Sequence, residues 1–359
     1  MTATLDDMSA RIVDSKMKEA AAKVPSFIVS ADSHVDEPED LFDGLSADIR
    51  GRIERPKLMN DHRPKGGRDP KVRLVDMDMD GVKAEVLYPT YTLALFAADP
   101  DVQTAGFRVY NDWIADYCKT APKRLVGIPC LAVYDIKAAV KELRRCHDMG
   151  LKGGLVWQVP DPKLPFTSEH YEPLWAAAAE LGYPLNFHIL TGFNYTRNKR
   201  AGWEKVRGSV NIKTADAVTT LFDLIWSGVF ERHPTLKAEI VESEIGWMPF
   251  VLQQWDYYFK RNFRPGGARE EFLIDRLPSE IFNEHVYATF MDDFVGGQVL
   301  KFWGDRNCMW SSDYPHPNMT WPNSRAFIAR QIGDLEPARQ QRVLSQNVID
   351  LYKMDVRPG

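Results

Sequence analysis

Asp32 and His34 are the first residues of the chain whose types and spacing suggest chemistry. They follow residues 27–30, a short apolar run that is typical of a buried strand. Side chains two residues apart on a strand point to the same side, so this carboxylate and this imidazole could hold one metal ion together. An aspartate that caps a helix and a histidine that packs in the core would give the same pair of residues at this spacing. The pair therefore predicts a metal site only if other strand ends supply further ligands.

Eight short strands, nearly all separated by helices, organise the chain, which is the sequence pattern of a (β/α)8 TIM barrel. The alternative is an open doubly wound sheet, but no G-x-G-x-x-G motif follows the first strand. We predict a helical arm at residues 1–24 and one barrel domain at 25–359, with long connections at 39–70 and 190–215. The predicted strands are 27–30, 82–89, 125–130, 152–157, 184–189, 236–242, 285–290 and 308–313. The predicted helices are 71–80, 102–120, 136–149, 171–181, 215–230, 248–259, 323–331 and 336–351.

Two further strands of this barrel end on residues that bind metals. His188 ends the fifth predicted strand, and Asp313 ends the eighth. The carboxyl ends of barrel strands meet on one face, where the chemistry of such folds takes place. We therefore expect Asp32, His34, His188 and Asp313 to bind one divalent ion. Zn²⁺ is the first choice, and Mn²⁺ or Fe²⁺ are alternatives because two of the donors are oxygens.

Residues 30–38, which contain Asp32 and His34, resemble the opening motif of the amidohydrolase-related family that includes aminocarboxymuconate semialdehyde decarboxylase. The resemblance implies a metal-dependent (β/α)8 hydrolase or non-oxidative decarboxylase. It places Asp32 where members have His or Glu, and it matches His34, His188 and Asp313 to the remaining metal ligands. Further matching stretches follow in the family's order at 110–113, 124–127, 150–154, 187–188, 242–247, 310–316 and 347–352.

The chain departs from this family pattern after the sixth strand, where the well-known decarboxylases carry a catalytic histidine. Glu242 and Glu244 stand there instead, and either could act as acid or base. The alternative for Glu242 is a strand-end hydrogen bond to a neighbouring loop. His316 could orient a substrate or pack beneath Pro317. Trp157 ends the fourth strand and could line the substrate pocket or belong to the core.

The residues visible in the sequence suffice for hydrolysis, which is our main prediction. The metal would lower the pKa of a bound water, Asp313 would take its proton, and Glu242 or Glu244 would assist the leaving group. Decarboxylation of an aromatic or unsaturated acid is the alternative, and a non-enzymatic binding barrel is the third. An acidic or aromatic small molecule is the expected substrate, selected by Arg and Trp side chains of the long loops, namely Arg197, Arg200, Trp203 and Trp321.

The composition excludes several other classes of protein. The chain of 359 residues is 44% hydrophobic and 26% charged with a formal charge of -5, so it offers no basic field for nucleic acid. It has no apolar run long enough for a membrane helix, and its four cysteines are scattered. The amphipathic N-terminus is unlike a signal peptide, so we expect a cytoplasmic protein. The aromatic helices at 102–120 and 248–259, or the N-terminal arm, could form a homodimer interface.

Overall fold

Eight parallel strands form the centre of the protein, as the alternating pattern predicts. The structure is a computed structural model that describes residues 13–53, 63–193, 202–263, 266 and 271–357. The strands are Ile28–Val35 (β1), Val82–Pro89 (β2), Leu125–Gly127 (β3), Gly154–Val156 (β4), Leu185–His188 (β5), Ala238–Val241 (β6), Val286–Phe290 (β7) and Cys308–Trp310 (β8).

Two parallel sheets join edge to edge and so close the barrel. One has the order β1-β2-β3, and the other has the order β4-β5-β6-β7-β8. Between β3 and β4 the join is a bridge from Cys130 to Leu155. Between β8 and β1 the amide of Asp313 donates to the carbonyl oxygen of Asp32 at 3.1 Å, and the amide of Ser312 donates to the hydroxyl of Ser30 at 2.9 Å. The ends of the first and last strands are therefore held side by side.

Helices surround this barrel, and most of them begin and end near the predicted positions. In α3, Asp69 accepts from the backbone amides of Lys71 and Val72, Pro70 occupies the first turn, and Gly81 ends the helix at a positive φ of 83°. The helices are Ser15–Ala21 (α1), Ala47–Arg52 (α2), Pro70–Asp80 (α3), Pro100–Cys118 (α4), Ile136–Asp148 (α5), Glu172–Leu181 (α6), Gly202–Val210 (α7), Ala215–Trp226 (α8), Val229–Arg232 (α9), Met248–Asn262 (α10), Pro278–His285 (α11), Phe294–Val299 (α12), Ser324–Ile332 (α13), Pro337–Gln341 (α14) and Asn347–Tyr352 (α15).

The connection after β5 differs from the prediction. Residues 190–215 were expected to be a loop because they are rich in Asn, Arg and Gly, yet α7 lies within them. Helices α11 and α12 were also not predicted. The predicted helix at 336–351 is divided, because the π-helical turn Arg342–Gln346 separates α14 from α15. These differences lie outside the barrel strands, so the predicted fold class is confirmed.

The N-terminal arm begins, within the described residues, with α1, which buries none of its side chains. The guanidinium of Arg325 in α13 donates to the carbonyl oxygen of Val24 and so fixes the end of the arm on its own barrel. Residues 1–12 of the predicted arm lie outside the described part of the chain. No described helix is both long enough and apolar enough to cross a membrane.

Candidate active site

His34 on β1 and His188 at the end of β5 face each other across the mouth of the barrel. Both rings are fully buried, and their Nε2 atoms are 3.2 Å apart. The Nδ1 atom of His34 lies 2.8 Å from the carbonyl oxygen of Pro89, and that of His188 lies 2.7 Å from the carbonyl oxygen of Ile189. A carbonyl oxygen only accepts, so each Nδ1 carries a proton, and in the neutral form of each ring Nε2 presents a lone pair. This is the arrangement of histidines that bind metals through Nε2.

A buried arginine fixes the backbone at His34. Arg73 of α3 donates to the carbonyl oxygen of His34, to that of Gly66 at 3.1 Å, and to the carboxylate of Glu85 at 2.8 Å. Arg73 is fully buried, and Glu85 on β2 supplies its counter-charge. The end of β1 is therefore tied to the helix that precedes β2.

Two aspartates lie against this histidine pair. The Oδ1 atom of Asp32 is 3.4 Å from Nε2 of His34 and 3.7 Å from Nε2 of His188. The Oδ1 atom of Asp313, which follows β8, is 3.6 Å from Nε2 of His34. Both aspartates are fully buried. The structure thus brings together the four metal ligands that the sequence predicts.

Glu242 and His316 complete the group, which we call the metal cluster: Asp32, His34, His188, Glu242, Asp313 and His316. The Oε2 atom of Glu242 lies 3.6 Å from Nε2 of His188, and its backbone amide donates to the hydroxyl of Thr289 at 2.7 Å. His316 donates from Nδ1 to Oδ1 of Asp313 at 2.8 Å, and its Nε2 lies 3.1 Å from the hydroxyl of Thr90. Glu242 and His316 are therefore placed as possible ligands.

The donor atoms of the metal cluster fit a divalent ion. They form two overlapping groups of four residues, and within each group all ligand atoms lie within 4.8 Å of one another. Both carboxylate oxygens of Asp32 and the Oδ2 atom of Asp313 are buried without a hydrogen-bond partner among the described residues. Buried carboxylates are normally paired or bind metals. Imidazole nitrogens and carboxylate oxygens together suit Zn²⁺, Mn²⁺ or Fe²⁺.

Without a bound ion, the charges in the metal cluster oppose one another. Burial raises the pKa of Asp313 to about 7, although His34 partly offsets this effect. Burial and the neighbouring Asp313 also raise the pKa of Glu242. Burial lowers the pKa of His316 to about 4 and lowers that of His34. For His188 the burial effect is outweighed by Asp32 and Glu242, which raise its pKa to about 9. A cation between these carboxylates would relieve their repulsion.

Three acidic residues at the mouth adopt a backbone conformation that is rare for residues other than glycine. The φ angles are 57° at Glu242, 55° at Glu244 and 54° at Asp313. Such strain collects at functional sites, where the surrounding structure holds side chains in positions that a relaxed strand end would not give them.

Two of the predicted site residues lie outside the metal cluster. Both carboxylate oxygens of Glu244 are engaged, because Oε1 accepts from Lys213 at 2.7 Å and Oε2 accepts from the backbone amide of Met291 at 2.9 Å. Trp157 is fully buried, and its indole N–H donates to the hydroxyl of Tyr171 at 3.1 Å. Glu244 is thus placed as an ion-pair partner and Trp157 as part of the barrel core. A catalytic role for Glu244 and a substrate-binding role for Trp157 stay predictions.

Two of the four loop residues expected to select the substrate lie within the described part of the chain. Trp203 of α7 is exposed to solvent, and the indole N–H of Trp321 donates to the carbonyl oxygen of Asp76. Arg197 and Arg200 lie outside the described residues. Lys213 was not predicted as a site residue from the sequence, because it lies in a connection without a motif or periodic pattern. His316 carried a usable signal as a ligand, since it follows Asp313 by three residues.

A second polar group lies in the barrel interior beneath the metal cluster. Asn186 donates to Glu239 at 3.0 Å, Tyr352 donates to the same carboxylate, and the hydroxyls of Tyr88 and Tyr352 are 3.1 Å apart. Burial raises the pKa of Glu239 to about 8, although the hydrogen bond from Tyr352 partly offsets this effect. The ring of Tyr88 lies 5.2 Å from that of His188, so this group supports the metal cluster from below.

A cavity on the outer surface of the barrel contains no residue of the metal cluster. Its volume is about 610 Å³, and residues of α8, α10 and the 271–273 segment line it. The barrel mouth, with its strained and buried donors, is therefore the better candidate for the reaction.

A closed parallel barrel with imidazole and carboxylate donors at its strand ends defines a class, the metal-dependent enzymes of the amidohydrolase fold. The family model described as Amidohydrolase matches residues 31–354, and the chain belongs to this family. The resemblance seen in the sequence is confirmed.

Named relatives of the chain are decarboxylases. It is 26% identical over 261 residues to gamma-resorcylate decarboxylase of Rhodococcus jostii, covering 68% of this chain and 75% of the relative. It is 24% identical over 299 residues to 2-amino-3-carboxymuconate-6-semialdehyde decarboxylase of Dictyostelium discoideum, covering 80% and 77% of the two chains.

A solved structure with the same fold is that of a dihydroxybenzoic acid decarboxylase from Polaromonas sp. JS666, with bound manganese and the inhibitor 2-nitroresorcinol. It is 19% identical to this chain with a TM-score of 0.67, covering 92% of this chain and 98% of that one. The likeness confirms the barrel.

Proposed function

We propose that this protein is a metal-dependent, non-oxidative decarboxylase of a small aromatic or unsaturated carboxylic acid. The observation that carries the proposal is the pair of buried Nε2 atoms, 3.2 Å apart, beside carboxylate oxygens that have no hydrogen-bond partner among the described residues. The named relatives of the chain given above are decarboxylases. These relatives favour our alternative reaction over hydrolysis. The manganese in the Polaromonas structure supports Mn²⁺ as the ion, where the sequence analysis placed Zn²⁺ first.

Asp32, His34, His188 and Asp313 would hold the ion, with Glu242 as a further ligand. When bound, the ion supplies a positive charge that orients and polarises an oxygen of the substrate. The cluster is nearly closed to water, since only His316 and Glu242 have any appreciable exposure. Exclusion of water strengthens each electrostatic contact with the substrate.

Decarboxylation breaks one carbon–carbon bond, and its electron pair stays on the ring carbon, which then takes a proton as carbon dioxide leaves. The chain has no histidine at the position after β6 where the family resemblance implies a catalytic one, so another group must hold this proton. Asp313 is the best placed, because His316 binds its Oδ1 at 2.8 Å while its Oδ2 has no partner among the described residues. We assign the proton transfer to Asp313. We assign to His316 the role of orienting the Asp313 carboxylate.

Hydrolysis of an ester, lactone, amide or activated carbon–carbon bond is the second candidate. The observation that favours it is the sequence after β6, Glu242–Ser243–Glu244, which contains no histidine. The same Asp313 would then accept a proton from water.

The deciding experiment incubates the Mn²⁺-loaded protein in D₂O with a panel of hydroxybenzoic acids. A decarboxylase releases carbon dioxide and leaves one deuterium on the ring carbon that lost it, which mass spectrometry and NMR detect. Asp313→Asn should abolish both signals. A parallel panel of esters, lactones and amides tests hydrolysis. Turnover of that panel without carbon dioxide release from any acid would overturn the decarboxylase proposal.

A further inference from the structure

Lys213 places a positive charge at the barrel mouth, beside the metal cluster. It lies between α7 and α8, in the connection that follows β5, and its Nζ atom donates to Oε1 of Glu244 at 2.7 Å. The side chain of Lys213 is 26% exposed. The ammonium is therefore held by Glu244 and is still accessible from solvent.

Glu244 holds the Lys213 ammonium in a fixed position. Its second oxygen accepts from the amide of Met291 at 2.9 Å, and its backbone is fixed at a φ of 55°. With both oxygens engaged, the carboxylate cannot turn away from Lys213. A lysine side chain loses conformational entropy when it is held in such a contact. Because Glu244 already holds Lys213 in the free protein, ligand binding does not carry this entropic cost again.

Lys213 stays protonated in spite of its burial. Burial alone lowers its pKa, but Glu244, Glu242 and Asp313 together raise it above the ordinary value. An ammonium has three N–H donors, and the described residues take one of them. The remaining donors are available to a ligand at the mouth. The acidic residues of the cluster repel an anion, and Lys213 opposes that repulsion.

We propose that Lys213, positioned by Glu244, binds the carboxylate of the substrate. This inference rests on the proposed function for the identity of the ligand, but its test does not require turnover. The contact is made in the bound acid and lost as carbon dioxide leaves, so it strengthens binding more than it speeds the reaction. Loss of Lys213 should therefore raise KM for the acid about tenfold, as expected for one charge-assisted hydrogen bond, and change kcat less.

The test compares benzoate with benzamide, two ligands of the same shape that differ in charge, by calorimetry on the Mn²⁺-loaded protein. Wild type should bind benzoate about tenfold more tightly than benzamide. Lys213→Met should lose most of this preference, because only the charge of the metal ion then favours the anion, and Lys213→Arg should keep a larger part of it. Metal content and circular dichroism are measured for each variant, because Lys213→Met leaves Glu244 buried without its partner. The double variant Lys213→Met/Glu244→Gln removes that problem if the single variant fails to fold.

A preference for benzoate that survives undiminished in a folded variant lacking Lys213 would overturn the inference, and so would a wild type that binds both ligands equally. If the preference depends on Lys213 and no acid is decarboxylated, the anion-binding role stands and the proposed reaction fails.

Discussion

The Nε2 atoms of His34 and His188 face each other at 3.2 Å, while the Nδ1 proton of each ring is directed to a backbone carbonyl. When both rings are neutral, as metal binding requires, neither Nε2 carries a proton, and both Nε2 lone pairs are free for a cation. A bound cation would accept both lone pairs. The hydrogen bonds to Pro89 and Ile189 thus prepare the pair for a metal ion.

The first prediction concerns metal content. Wild type should hold about one divalent ion per chain, and His188→Ala should hold almost none, because the ion loses one of the ligands that fix its position. Elemental analysis after dialysis measures this. His170→Ala is a matched control, since His170 binds the carbonyl oxygen of Val133 and takes no part in the metal cluster. A wild type that remains empty after incubation with Mn²⁺ and with Zn²⁺ would contradict the site.

Glu242→Gln should raise the thermal stability of the metal-free protein but weaken the binding of Mn²⁺. In the metal-free protein, burial and Asp313 raise the pKa of Glu242, so its ionisation is unfavourable in the folded state and stability falls as pH rises. The amide removes that penalty, and we expect Tm at pH 8 to rise by about 2 °C. In the loaded protein the variant lacks a ligand, so affinity for Mn²⁺ should fall at least about tenfold.

Calorimetric unfolding of both forms, with and without a chelator, separates these two effects. If Glu242→Gln binds Mn²⁺ as tightly as wild type, Glu242 is not a metal ligand, and it is again a candidate for the acid or base of the reaction.

Glu239 should make stability fall with pH in a defined window. Its pKa is raised from 4.5 to about 8, so the folded protein keeps a proton that the unfolded chain releases between these values. The stability it contributes is fully present below pH 4.5 and is lost as pH rises through 8. Relative to wild type, Glu239→Gln should therefore gain about 3 to 4 kcal/mol in the free energy of unfolding between pH 5 and pH 8. Urea unfolding of equally loaded proteins measures this difference, and a constant difference across that range would refute it.

The predicted homodimer can be tested on one helix. The aromatic side chains of α4 are in the core, with Tyr110 fully buried, whereas Phe250 and Tyr257 of α10 are more than half exposed. An exposed aromatic face of this kind is typical of an interface. We expect a dimer by light scattering that Phe250→Asp converts to a monomer. Phe302→Asp, which changes another exposed aromatic residue, serves as the control. A monomeric wild type would remove the prediction.

The barrel and the convergence of four candidate metal ligands were predictable, because residues at strand ends follow a local apolar run and the order of the strands along the chain places these ends on one face. Asp32 and His34 follow an apolar run, and the eightfold alternation places His188 and Asp313 on the same face. Helix α7 was missed because its sequence, with two glycines and several charged residues, resembles a loop. The division of the last predicted helix by a π-helical turn likewise has no periodic signal.

The roles of the remaining site residues depend on distances that no pattern contains. Glu242 and Glu244 are two residues apart and look equivalent in the sequence, yet Glu242 approaches His188 while Glu244 binds Lys213. The positive φ angles of both residues depart from regular strand geometry, so the strand period does not tell which way each carboxylate points. Lys213 comes from a connection where only the folded chain brings it to the mouth.

The hydrogen bond from the amide of Asp313 to the carbonyl oxygen of Asp32 joins the last strand end to the first. The donors Asp32 and Asp313 are therefore contributed from the first strand of the barrel and from the segment that follows the last one. A nascent chain that has left the ribosome only up to β7 has Asp32, His34 and His188 but lacks the hydrogen bond that sets Asp313 beside them. Tight metal binding would then begin only after β8 has been synthesised and has closed against β1, so that metal binding would follow barrel closure in time.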